Sequence, residues 1–136
     1  MKRVIYILTA VCLMVVLATG VAEAKKNKKD GQAKISFAEM VYDFGTIKED
    51  GGPVSHDFQF TNTGDGNLVI FDAKAECGCT RPSFPDNAIA PGKSNKVKVT
   101  YNPLGRPGGF DKVVTITTNG NPRKVRLKVR GTVTPK

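Results

Sequence analysis

The chain has no tryptophan, a single histidine (His56) and only three cysteines, Cys12, Cys77 and Cys79, among 136 residues. With one histidine, a Ser-His-Asp hydrolase would depend wholly on His56, and Asp43, Asp72 and Glu76 lie at no spacing that marks an acid and base pair. A Cys-x-x-Cys pair opening a helix, where thiolates are usually stabilised, is also missing. No segment sustains a helical hydrophobic period and no internal repeat is present, which sets aside bundles and solenoids. Gly108-Gly109 precedes no helix, so it reads as a turn and not as a phosphate loop.

The first residues follow an export pattern. Lys2 and Arg3 start the chain, an apolar run covers Val4 to Leu17, and Ala22-Glu23-Ala24 supplies small residues for cleavage after Ala24. The run is shorter than the roughly 20 residues of a membrane-spanning helix, so residues 1–24 are expected to be a signal peptide, with no transmembrane segment after its removal. Cys12 follows Val11 where lipid attachment would want a small residue, and is expected to leave with the signal. Residues 25–33, with Lys25, Lys26, Lys28 and Lys29, read as a basic flexible leader, and residues 34–136 as one domain. The location expected is the periplasm or the outer side of the cell envelope.

The formal charge is +9, and cleavage lowers it by only one unit by removing Lys2, Arg3 and Glu23. Basic surfaces gain affinity for nucleic acids by releasing counterions from phosphates, but an exported protein seldom meets them. A protein partner in the envelope, or contact with an anionic surface, is the expectation instead.

From Lys34 onward, alternating apolar and polar residues are separated by Gly, Pro, Asn and Asp clusters, the pattern of antiparallel strands. Tyr42, Phe44 and Thr46 share one parity, as do Val54, His56, Phe58 and Phe60. Val69, Phe71, Ala73, Ala75, Cys77 and Cys79 share another, so an unbroken strand would turn all six toward the core. Thr80-Arg81-Pro82 is expected to end or bend that strand, since proline removes a ladder donor. Val97, Val99 and Tyr101 face inward on the next strand. Asn119-Gly120-Asn121-Pro122 then joins the last two strands as a hairpin. In the final strand Val125, Leu127, Val129 and Val133 alternate with Lys124, Arg126, Lys128 and Arg130, giving one buried and one strongly basic face. Lys96 and Lys98 point outward and are expected to extend that face. Its plainer role is to keep a sheet soluble and guard it against edge pairing. About seven strands with regular turns imply an all-β, immunoglobulin-like antiparallel β-sandwich, though without the antibody Trp and inter-sheet disulfide.

Five stretches, taken together, resemble the bacterial family catalogued as domain of unknown function 1573. They are Phe44-Gly45-Thr46-Ile47, Phe58-Gln59-Phe60-Thr61-Asn62-Thr63-Gly64, Cys77-Gly78-Cys79-Thr80, Ile89-Ala90-Pro91-Gly92 and Val99-Thr100-Tyr101-Asn102-Pro103. The resemblance covers nearly the whole domain and implies an exported immunoglobulin-like fold without a settled activity. A more distant similarity to Hydin and major sperm protein modules implies a scaffold for protein contacts.

Three chemistries remain open for Cys77 and Cys79. A disulfide between residues two apart needs a local turn, which Gly78 permits, and its short loop would contribute only about 1.6 kcal/mol in the chain-entropy picture. Such a bridge suits thiol exchange better than stabilisation. Two thiolates could instead hold Cu(I), which accepts few sulfur ligands; an exported copper-delivery factor with a Cys-x-Cys site looks similar in outline. Zinc would lack ligands, with only His56, Met40 and carboxylates to add. Both thiols could also simply be packed as small apolar residues. Arg81 is placed to assist a thiolate, and His56, on the parity of Phe58, is more naturally a hydrogen-bonded, partly buried ring than a ligand. The expectation overall is a binding or structural module without catalytic activity and without a cofactor, with a Cu(I) or disulfide-exchanging Cys-x-Cys site as the alternative.

Overall fold

The computed structural model describes residues 31–136, so the proposed signal peptide and the lysines of the leader lie outside the described residues. Eight strands form in chain order: β1 (Ile35–Phe37), β2 (Val41–Lys48), β3 (Val54–Asn62), β4 (Ile70–Ala75), β5 (Thr80–Ser83), β6 (Ser94–Tyr101), β7 (Gly108–Thr118) and β8 (Lys124–Thr134). They make two four-stranded sheets, ordered β1-β3-β6-β5 and β2-β8-β7-β4. All pairings are antiparallel except β2 with β8, which run parallel, so the second sheet is mixed. The architecture is an all-β immunoglobulin-like sandwich.

Alternation builds the core between the sheets. From the first sheet come Phe58, Phe60, Val97 and Val99, and from the second Val114, Ile116, Val125, Leu127 and Val129, all buried. Complete burial of such side chains is worth about 1.5–3 kcal/mol each, which makes this face-to-face contact the main source of stability. The β7–β8 hairpin forms as expected, with Val114 opposite Leu127 and Ile116 opposite Val125. Buried Asn62 closes the adjacent turn with both ends of its amide. It donates to the Gly66 and Ile89 carbonyls at 2.7 and 2.9 Å, and it accepts from the Gly64 and Lys34 amides at 3.1 and 3.3 Å.

Several expectations based on strict alternation are corrected. A register shift between Ile70 and Asp72 inserts one residue into β4, so Ile70 is buried whereas Phe71, expected inward, is 56 % exposed. A second shift between Asp43 and Thr46, with Gly45 at a φ of 68°, turns Thr46 outward and Ile47 inward on β2. The stretch read as one strand from Leu68 to Thr80 is two strands in different sheets, joined across Glu76–Cys79. Thr80-Arg81-Pro82 does not end a strand but forms most of β5. Proline is tolerated there because β5 is an edge, with only β6 beside it. Ala33, placed at the end of the leader, is 3 % exposed and belongs to the core.

Candidate functional site

The corner where the chain passes from one sheet to the other carries the Cys-Gly-Cys-Thr element. Cys77 and Cys79 are joined by a disulfide, with their Cα atoms 5.3 Å apart. The local fold explains why they can meet: the Thr80 amide donates to the Cys77 carbonyl at 3.2 Å, closing a turn over Gly78, around which nothing lies within 4 Å of a notional Cβ. The Asn102 amide anchors the Cys79 carbonyl at 2.9 Å. The two sulfurs are not equivalent. Cys79 is 3 % exposed and packs with Tyr101, Phe110 and Val133 in a second, smaller core; Cys77 is half-buried at its edge. The Cys79 amide points at the Cys77 sulfur at 3.3 Å, and the Thr80 hydroxyl lies 3.5 Å from the Cys79 sulfur.

Beneath the bridge, the rings of Tyr101 and Phe110 stack with centroids 3.9 Å apart. Burial raises the Tyr101 phenol above its ordinary range, an effect that the Arg106 guanidinium partly opposes. Outside the corner, Arg81 and Asn102 line a cavity of about 230 Å³ with Pro53, Gly78, Cys79 and Thr100. The structure thus places Arg81 next to the cysteine corner. Asn102 and Pro53 were not expected there, since Asn102 is brought in by the pairing of β5 with β6 and Pro53 by that of β3 with β6.

His56 lies elsewhere. Its ring stacks on Tyr42 with centroids 3.6 Å apart, meets Phe58 edge-on, and its Nε2 is bonded to the Glu39 carboxylate. Among the described residues, no three His, Cys, Asp or Glu side chains gather where they could hold a metal ion. Cu(I) binding would first require reduction of the bridge, since thiolates are the ligands.

The basic face divides into two parts. On the outer side of the second sheet, Lys128 and Arg130 are held by Asp111 and Asp43 at 3.6 and 3.3 Å. A shallow hollow of about 540 Å³ there is lined by two carboxylates, Asp43 and Asp111, against one cation, Arg130. Toward the hairpin end, Lys124 and Arg126 stand beside Lys74 of β4, with no ion pair among the described residues. Register explains the cluster: Lys74 and Arg126 both face Thr115, while Lys124 and Asp72 both face Thr117. These six residues border an open hollow of about 460 Å³. Lys74 has the outward parity in the sequence, but its place beside Lys124 and Arg126 depends on β4 and β8 both flanking β7, which alternation does not show. Lys96 and Lys98 do not extend this surface; they lie on β6 in the opposite sheet, where Lys96 pairs with Asp57 at 3.2 Å.

Two four-stranded sheets packed face to face form an immunoglobulin-type β-sandwich, and solved structures share that fold. A protein of unknown function from Porphyromonas gingivalis W83 superposes with a TM-score of 0.64 at 16% identity, over 74% of this chain and 47% of that one. The ASH/PapD-like domain 7 of human CEP192 gives 0.63 at 13% identity over 77% and 88%. The Escherichia coli chaperone DraB gives 0.51 at 7% identity over 76% and 56%. The present chain therefore spans less than half of the Porphyromonas protein. No curated protein is similar enough in sequence to match. Residues 35–133 match the family described as protein of unknown function DUF1573, and the chain belongs to that family.

Proposed function

We propose that the protein is an exported binding module of the cell envelope that docks an acidic segment of a partner protein on the outer face of β4, β7 and β8. The observation that carries this reading is the cluster of Lys74, Lys124 and Arg126 around Thr115 and Thr117. Three cations on rigid neighbouring strands, with Asp72 as the single carboxylate at the rim, leave a local positive field that the ion-paired half of the face lacks. The threonine hydroxyls between them can donate to carboxylate oxygens, while the paired strands hold the Cα atoms of the three cations in fixed register. Such complementarity sets partner choice and association rate more than raw affinity.

Export is supported by the signal-like start of the chain and by the Cys77–Cys79 bridge, which suits an oxidising compartment. No helix among the described residues is long and apolar enough to cross a membrane. The sandwich is a fold that a bacterial chaperone also uses, in keeping with a role in protein contacts.

The test compares binding of a glutamate-rich peptide by the unaltered chain, by Lys74→Gln/Lys124→Gln/Arg126→Gln and by Lys96→Gln/Lys98→Gln. Only the triple substitution should abolish binding, and 0.5 M salt should have the same effect. Equal losses in both variants would reject this face as the site. Vesicles rich in phosphatidylglycerol are the competing ligand: tighter binding to them than to the peptide would assign the surface to a membrane instead.

A further inference from the structure

The two sulfurs of the corner differ in exposure, hydrogen bonding and neighbours, and none of these differences is needed by a bridge that only staples a turn. Cys77 is reachable from solvent and receives the Cys79 amide at 3.3 Å, a contact that favours a thiolate on Cys77 once the bridge is opened. Cys79 is buried against Tyr101, Phe110 and Val133, apolar surroundings that favour a neutral thiol, with the Thr80 hydroxyl, 3.5 Å away, able to accept a hydrogen bond from it. This is the division between an attacking and a resolving cysteine. Arg81 adds a cation beside the corner, in a cavity that Asn102 and Thr100 make polar and that borders Gly78 and Cys79, next in the chain to Cys77.

We propose that the Cys77–Cys79 corner is a thiol-disulfide exchange site, with Cys77 forming the mixed disulfide, that takes a protein dithiol carrying an acidic group next to its reactive cysteine. A partner thiolate attacks the Cys77 sulfur. The Cys77–Cys79 bond breaks, its electron pair moves to the Cys79 sulfur, and that sulfur takes up a proton. The partner's second thiolate then attacks the partner sulfur bound to Cys77. That bond breaks in turn, leaving its electron pair on Cys77 beside the Cys79 amide. The partner departs as a disulfide, and the corner holds the two electrons that the partner has lost. Arg81 is a positioning residue: it holds the acidic group in the cavity so that the thiolate lies over Cys77, and it takes no part in the exchange of bonds.

The site is independent of the basic face, and its test uses the full chain with Cys12→Ser, so that only the corner reacts. The oxidised protein is exposed to glutathione, which carries carboxylates, or to uncharged mercaptoethanol, then quenched with acid and mapped by mass spectrometry. The adduct should fall on Cys77, with Cys79 left as a free thiol. Arg81→Ala should slow the glutathione reaction about threefold or more and leave mercaptoethanol unchanged, with the difference lost in high salt. As a second measure, Cys77 in a Cys79→Ser protein should be alkylated at neutral pH about tenfold faster than Cys79 in a Cys77→Ser protein. An adduct on Cys79, no adduct with either thiol, equal slowing of both thiols by Arg81→Ala, or equal alkylation rates would each overturn the assignment.

Discussion

Replacing Gly131 with alanine should destabilise the domain even though only one methyl group is added. A Cβ at this position would lie 2.8 Å from the Gly45 carbonyl oxygen and 2.9 Å from two carbons of the Phe110 ring, against ordinary contacts of 3.4–4 Å. Neither neighbour can retreat cheaply. The Gly45 carbonyl belongs to the backbone of β2, paired to β8 on both sides of its bulge, and the Phe110 ring is pinned by its stack on Tyr101. Overpacking a well-filled core costs about 1–3 kcal/mol, while removing a glycine from a strand returns about 0.5–1 kcal/mol. A net loss of about 1–2 kcal/mol corresponds to a fall in Tm of roughly 5–15 °C for a domain of this size. Gly109→Ala is the control, because nothing lies within 4 Å of its notional Cβ; it should stay within about 0.5 kcal/mol of the parent. Thermal and urea unfolding followed by circular dichroism would measure both. Equal stability of the two variants would refute the claim that β2, β7 and β8 converge at Gly131, and with it the packing described beneath the cysteine corner.

Three further expectations concern the hub residues. Asn62→Ala removes four hydrogen bonds, leaving the Gly66 carbonyl without this donor and the Gly64 and Lys34 amides without this acceptor, while the Ile89 carbonyl keeps the Leu68 amide; urea unfolding should show a loss of about 2–3 kcal/mol, against little change for exposed Asn67→Ala. Reducing the Cys77–Cys79 bridge should lower stability by only about 1.6 kcal/mol, since the loop it closes is so short; unfolding of the whole domain on reduction would contradict this. The raised Tyr101 phenol keeps its proton in the folded chain at pH values where the unfolded chain has lost it. Stability should therefore fall as the pH rises past about 10, and Tyr101→Phe should flatten that part of the pH profile in parallel urea titrations.

Strands without bulges were legible in the sequence. Val97, Val99 and Tyr101 on β6, and Val125, Leu127, Val129 and Val133 on β8, are all buried as their alternation requires. The Asn-Gly-Asn-Pro turn correctly joined β7 to β8. Errors arose at the bulges, where one extra residue reverses the parity on one side, up to Phe71 on β4 and from Thr46 on β2, because a bulge leaves the composition of a strand unchanged. Alternation also says which residues share a face but not which sheet owns the strand. That is why Lys96 and Lys98 were joined to a surface they do not touch, and why the crossover at Cys77–Cys79 was read as a continuing strand. The cysteine pair itself stood out as a motif. Its asymmetry did not, because it depends on the Cys79 amide, on the Tyr101–Phe110 stack and on the approach of Asn102 across β6.

The most direct measurement of the binding role uses a photoreactive residue in place of Thr115, between Lys74 and Arg126, in living cells, with the same residue at Ser83 on the opposite sheet as a reference. Crosslinking from Thr115 to one envelope protein with an acidic segment, abolished by Lys124→Glu/Arg126→Glu and not seen from Ser83, is the result expected. Equal crosslinking from both positions, or a Thr115 product unaffected by reversing the charges, would contradict the assignment of this face as the docking surface.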